Sequence, residues 1–216
     1  MMNNLFSVFD PCTGIISMNW ISTLAFLILM PYKFWFTQNK LTLVIQMALS
    51  TLIKEMNMIM KYKGTNIIMM SMFMLVLCIN MTGLLPYVFT SSAHLTFSLS
   101  MALPLWMALM MYGWLKKTNS MFCHLVPNGT PPILMPFMVM IETISNMIRP
   151  GSLAVRLTAN MIAGHLLMSL LGSNTSMVVL ISTMIIFISL MLFELAVAMI
   201  QSYVFMTLMT LYSSEI

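Results

Sequence analysis

The chain has 216 residues, of which 60% are hydrophobic and only 6% charged, with a formal charge of +4. A soluble domain carries about 25% charged residues, so this chain cannot clothe a water-facing surface. It has no Lys/Arg-rich patch interleaved with aromatics, which argues against a nucleic-acid partner.

A bilayer span needs about 20 apolar residues. Uncharged runs of that length or more cover Pro11–Tyr32, Gly64–Leu115, Thr118–Ile141 and Leu157–Phe193. This density predicts an all-α, polytopic membrane protein with 1–216 as a single membrane domain, since helices satisfy their own backbone groups in lipid.

The first membrane helix is expected over 13–31, with Trp20, Phe34, Trp35 and Phe36 near interfaces. Lys33–Lys63 follows, with five lysines and Glu55. Within it Gln46, Ser50, Lys54, Asn57 and Lys61 form a polar stripe at helical spacing, while Leu43, Val44, Met47, Ile53, Met56 and Met60 lie mostly off it. This predicts an amphipathic helix over 40–62 lying in the interface, the other reading being an ordinary loop helix. Gly64–Leu115 is too long for one span, and "GLLPYVFTSSAH" (Gly83–His94) breaks it with Gly, Pro and small polar residues. Membrane helices are placed at 66–89 and 95–115, then a loop at Lys116–Pro132. Two long segments follow at 132–171 and 177–212, hinged at "GSNTS" (Gly172–Ser176).

Every lysine lies in Lys33–Lys63 or at Lys116 and Lys117. Five membrane helices plus one interfacial helix put both regions on one side. The positive-inside rule makes that side the matrix or cytoplasm, with the N-terminus opposite and the C-terminus on the lysine side. Forty residues of helix measure about 60 Å against a hydrocarbon core of about 30 Å. The last two helices are therefore either broken, with Pro150 and Gly151 as a kink, or run steeply aslant along a partner.

Five polar residues stand out in these segments: Glu142, Arg156, His165, Glu194 and Gln201. Glu142, Asn146 and Arg149 share one helix face, and Arg156, Asn160 and Gly164 share another. Glu142 lies roughly 21 Å along the helix before Arg156, and His165 roughly 13 Å beyond it. On the returning helix Glu194 lies about 10 Å outward of Gln201. With Gln201 level with Arg156, His165 and Glu194 meet on the outer side and Glu142 stands alone on the inner side. Carboxylates and imidazole exchange protons near neutral pH, whereas arginine does not. A fixed cation between two proton-handling patches interrupts a proton wire, leaving two half-channels joined only by a moving acidic carrier.

Each residue also has a plainer reading. Glu142 would serve as a hydrogen-bonding group, His165 as a packing histidine, and Asn160 and Gln201 as interhelical glue. Arg156 sits too far from either helix end to reach an interface easily. Cys12, Cys78 and Cys123 have neither metal-ligand nor redox spacing and read as packing residues. Asp10 and Glu215 read as solvated, and His94 and His124 as loop residues. The first ten residues hold no Lys or Arg, so no presequence is expected. Thirty methionines hint at an AT-rich genome that reads extra codons as Met, as many mitochondrial genomes do.

"LAVRLTANMIAGHLL" (Leu153–Leu167) resembles the signature of subunit a of the F-type ATP synthase, in its mitochondrially encoded form. "NMTGLLPYVFTSSAHLTFSLSMALPLWM" (Asn80–Met107), "HLVPNGTP" (His124–Pro131), "IETIS" (Ile141–Ser145) and "ELAVAMIQSYVF" (Glu194–Phe205) resemble it too, in the family's order. The resemblance covers nearly the whole chain, most weakly in the first 60 residues. It implies a stator subunit in the mitochondrial inner membrane whose last two helices form an inclined hairpin around a rotating c-subunit ring. Peripheral-stalk and other membrane-sector subunits are the further partners implied. It puts the essential arginine on Arg156, the intermembrane-side path on His165 and Glu194, the matrix-side path on Glu142, and polar neighbours on Asn160 and Gln201. The sequence departs in detail at Pro150–Gly151–Ser152 and at the short hinge.

The expected function is proton translocation to and from the c-ring, with no nucleotide site, since there is no Gly-rich phosphate loop, and no cofactor or metal. A ring that carries sodium stays open, because the ion site would lie on the partner. A transporter- or antiporter-like respiratory subunit is the alternative, but it would be expected to carry intramembrane lysines and discontinuous helices. A purely structural scaffold would have no need of titratable groups on both sides of a buried arginine.

Overall fold

The computed structural model describes residues 5–14, 17–29, 37, 39–60, 63–126, 129–173 and 180–215. Among them the chain is all-helical, without strands. Short 3-10 helices at Leu5–Phe9 and Met18–Ala25 precede α1 (Phe26–Leu29). Then come α2 (Lys40–Ile59), α3 (Lys63–Gly83), a 3-10 turn at Ser91–Ala93, α4 (Leu95–Lys116), α5 (Thr118–His124), α6 (Met135–Ser173) and α7 (Leu180–Glu215). Four of these, α3, α4, α6 and α7, are long and apolar enough to cross a membrane; α2 is not among them.

The sequence explains where the helices start and stop. Pro86 cannot continue a helix and biases Leu85 away from it, so α3 ends at Gly83 rather than at the expected 89. Where a single helix is expected over 13–31, Met18–Ala25 is 3-10. There Thr23 Oγ1 donates to the Trp20 carbonyl at 2.7 Å and Ser22 Oγ to that of Phe89 at 3.3 Å, polar bonds that draw side chains toward backbone. Part of the expected loop at Lys116–Pro132 is the helix α5. The helical assignment of α6 runs through Pro150 without interruption. Most of the expected hinge at 172–176 lies outside the described residues, as do Lys33, Phe34, Trp35, Phe36 and Lys61.

Two apolar clusters join the helices. One gathers Met56, Met70, Phe73, Val76, Ala102, Leu153, Ala154, Leu157, Phe205 and Met209 from α2, α3, α4, α6 and α7. The other, where α3 ends, joins Leu84 to Met168 of α6 and Ala198 of α7. The bundle thus has a far end, where α3 and α6 finish and α7 begins. At its near end Ser213 Oγ meets Met60 Sδ at 2.5 Å, and α4 and α5 meet beside Lys116 and Lys117. Helix association in lipid depends on close packing rather than on escape from water. The small Ala102, Ala154 and Ala198, all buried, supply that closeness. Most hydroxyls within the long helices bond the carbonyl three residues back, as Ser202 does to Met199 and Thr210 to Thr207, so they add no unmet donor.

Phe205 is fully buried in the larger cluster. Phe205→Ala is expected to destabilise the fold by about 3 kcal/mol through the cavity it leaves, read as a lowered midpoint of denaturant unfolding in detergent micelles.

Candidate functional site

All six sequence-predicted site residues fall on α6 and α7. At 39 and 36 residues these helices measure roughly 58 and 54 Å. They pack against each other.

Asn160 Nδ2 donates to Gln201 Oε1 at 3.1 Å, joining the helices near their middle. Gln201 is only 7% exposed. One turn further along α6, Gly164 meets Glu194 of α7. A Cβ built on Gly164 would fall inside the Glu194 carboxyl, so only glycine allows this approach. Glu194 is 5% exposed. His165, next in sequence to Gly164, is half-buried and turns toward a cavity of about 910 Å³ at the far end, shared with Asp10, Asn19, Thr90 and Ser169. Its ring meets that of Phe9 edge-on, with centroids 6.4 Å apart. Its Nε2 is buried without a hydrogen-bond partner among the described residues.

Glu142 lies at the near end. The sequence leaves it standing alone, but the structure pairs it with Arg149 Nη2 at 3.6 Å, both side chains about one-third exposed. Arg149 in turn lies over the Tyr212 ring of α7, 5.1 Å from its centroid. These three, with Asn146, His124 and Trp106, line a cavity of about 310 Å³. The shared helix face of Glu142 and Arg149 was legible from their spacing of seven. Tyr212 was not, because only the return of α7 brings it there.

Arg156 stands between the two ends, exposed on α6. Its flank is a stripe of exposed small residues at helical spacing, Ser152, Ala159 and Ala163. On α7, Ile185, Ile188, Leu192 and Ile200 are likewise exposed and apolar. Among the described residues the only ion pair is the one between Glu142 and Arg149, and Arg156 pairs with none of their carboxylates.

These features define an α-helical, polytopic membrane protein with ionisable side chains inside its apolar helices, the kind of residue that marks an ion or substrate pathway. Residues 12–214 match the family model described as the ATP synthase A chain. The chain is 53% identical to ATP synthase subunit a of Anopheles quadrimaculatus and of Aedes aegypti, and 54% identical to that of Drosophila simulans, in each case over the whole of both chains. The chain belongs to this family, that of the membrane-sector, proton-translocating subunit of ATP synthase.

The Asn160–Gln201 bond should couple modestly. Interhelical bonds in membranes average about 0.6 kcal/mol. A double-mutant cycle with Asn160→Ala and Gln201→Ala, read by unfolding in micelles, is expected to give a coupling near that figure. Gly164→Ala must displace the Glu194 carboxyl, the end of a flexible side chain, so the fold loses little while the carboxyl loses its place. We expect it to lose most proton conduction in vesicles, and Glu194→Asp, one methylene shorter, to restore part of it.

Proposed function

We propose that the chain is the proton-conducting stator subunit of a mitochondrial ATP synthase and works against a ring of c subunits. The observation that carries this reading is the position of Arg156. It lies exposed on an otherwise apolar and small-residue face, paired with no carboxylate among the described residues. An arginine at the bilayer centre costs about 2.5–3.5 kcal/mol on insertion scales. An acidic side chain on a passing partner helix offsets that cost, and the small residues beside Arg156 let such a helix come close.

In this reading protons enter at the far end, from the intermembrane space, through the cavity that His165 faces. His165 and Glu194 relay them to a c-subunit carboxylate, and the neutralised carboxyl moves into lipid as the ring turns. After nearly a turn the proton leaves toward the matrix past Glu142 and its cavity. Arg156 favours the ionised carboxylate and so strips the incoming proton. As a permanent cation it also keeps the two cavities from joining. Asn160 and Gln201, bonded to each other one turn away, fix the helix spacing around it. Moving one charge across the membrane is worth about 2.3 kcal/mol per 100 mV, which supplies the drive.

The same reading makes 1–216 one membrane domain of about five membrane helices, with α2 lying in the matrix-side interface. α6 and α7 form an inclined hairpin along the ring. Lys54 of α2 and the lysines of the α4–α5 junction lie toward the near end, which is then the matrix side. That leaves the N-terminus in the intermembrane space and the C-terminus in the matrix. Covalent chemistry and nucleotide binding belong to other subunits of the complex, to which this chain is joined through peripheral-stalk and membrane-sector partners. Titratable side chains at both ends favour protons over sodium as the carried ion.

The deciding variant is Arg156→Ala in reconstituted complexes. We expect ATP synthesis driven by an imposed proton gradient to be lost, while passive proton leak through the membrane sector is kept or raised. Near-normal synthesis would refute the gate.

A further inference from the structure

We propose that the groove between α2 and α3 at the near end is a binding site for one phospholipid of the adjoining leaflet, phosphatidylethanolamine, whose ammonium group completes the hydrogen bonding of Asn66. The site is made by α2 and α3 and does not rest on the proton-conducting reading above.

The groove encloses about 910 Å³, within the range of about 300–1,000 Å³ usual for small-molecule sites. Leu49 and Ile53 of α2 and Ile67, Met70 and Met74 of α3 make its apolar walls. Its polar lining is Asn57, Asn66 and Ser71. Ser71 Oγ donates to the Ile68 carbonyl of its own helix at 2.8 Å. Asn66 Nδ2 donates to Asn57 Oδ1, joining α3 to α2. Asn66 Oδ1 has no hydrogen-bond partner among the described residues, although the residue is only 7% exposed. A buried acceptor left unmet carries its full desolvation cost. The amide oxygen only accepts, so what the groove calls for is a donor.

Polar and apolar parts follow one another here as they do in a lipid. α3 starts at the near end, and Met74 lies about 12 Å along it from Asn66, toward the bilayer centre. The asparagine pair therefore stands at the level of a headgroup, and Met70 and Met74 at that of an acyl chain. Methionine side chains are unbranched and adapt to an irregular guest. Lys54 is exposed on α2 one turn before Asn57, on the same side, whereas Glu55 falls on the opposite side. A phosphate at the groove's rim thus meets a cation. Phosphatidylethanolamine supplies both a phosphate for Lys54 and N–H donors for Asn66 Oδ1. Phosphatidylcholine supplies the phosphate and no donor. A hydroxyl-bearing anionic lipid also donates, but a neutral hydroxyl makes the weaker bond, since an ionised donor strengthens it.

The test uses the whole complex in vesicles. The probes are phosphatidylethanolamine, phosphatidylcholine and phosphatidylglycerol, each with the same photoreactive diazirine on an acyl chain. We expect the phosphatidylethanolamine probe to label the Leu49–Met74 stretch at least several-fold more than either of the others. Equal labelling, or stronger labelling by another probe, would overturn the proposal. Ser71→Trp fills the groove from an exposed position and is expected to abolish the label with assembly unchanged. A label that survives it would put the lipid elsewhere and sink the site. Asn66→Leu is expected to bring phosphatidylethanolamine down to the phosphatidylcholine level, and a preference that persists would refute the part given to Asn66. Should Asn66→Leu fail to assemble, the three probes on the unaltered chain and Ser71→Trp decide.

Discussion

A guanidinium inside a bilayer is tolerable only when something else is arranged around it, and Arg156 sets that requirement for the whole fold. No carboxylate among the described residues pairs with it: Glu142 is engaged by Arg149 and Glu194 is packed against Gly164. The compensation must then come from outside the chain or from water. Both demands favour a long exposed face beside small residues, with polar cavities kept to the two ends. A packed soluble core would offer neither.

The close approach of α6 and α7 follows from the same need. Lipid provides no hydrophobic drive for helices to associate, so contact depends on small residues and a few polar bonds. Gly164 makes room for a whole carboxyl group, and Asn160–Gln201 pins the crossing one turn below. Glu194 is therefore held by steric fit at the level of His165 rather than by an ion pair. That suits the proton-relay role proposed for it, in which its protonation state changes without the structure rearranging around it.

The near end works by different means. There the carboxylate has a cation, and the cation has an aromatic face on the returning helix. Arg149 is thus as much a link between α6 and α7 as a partner for Glu142. A part-exposed pair of this kind is worth little as a stabilising bond. Its effect is to fix where the carboxylate points, into a cavity shared with His124 and Asn146.

Composition settled that the solvent is lipid, and uncharged runs of about 20 residues or more settled that the spans are helical, since a barrel strand needs only about 9–11 residues. Linear spacing settled which residues share a face, as with Glu142 and Arg149, or Asn160 and Gly164, because helix geometry is local. A break within Gly83–His94 was legible as well, since Pro86 acts through its own backbone, although α3 stops at Gly83, short of the expected 89. What the sequence left open were contacts between helices: Tyr212 over Arg149, and Gly164 against Glu194. No periodicity encodes these. They depend on the relative height and rotation of helices far apart in the chain, which only the packing of the assembled bundle decides.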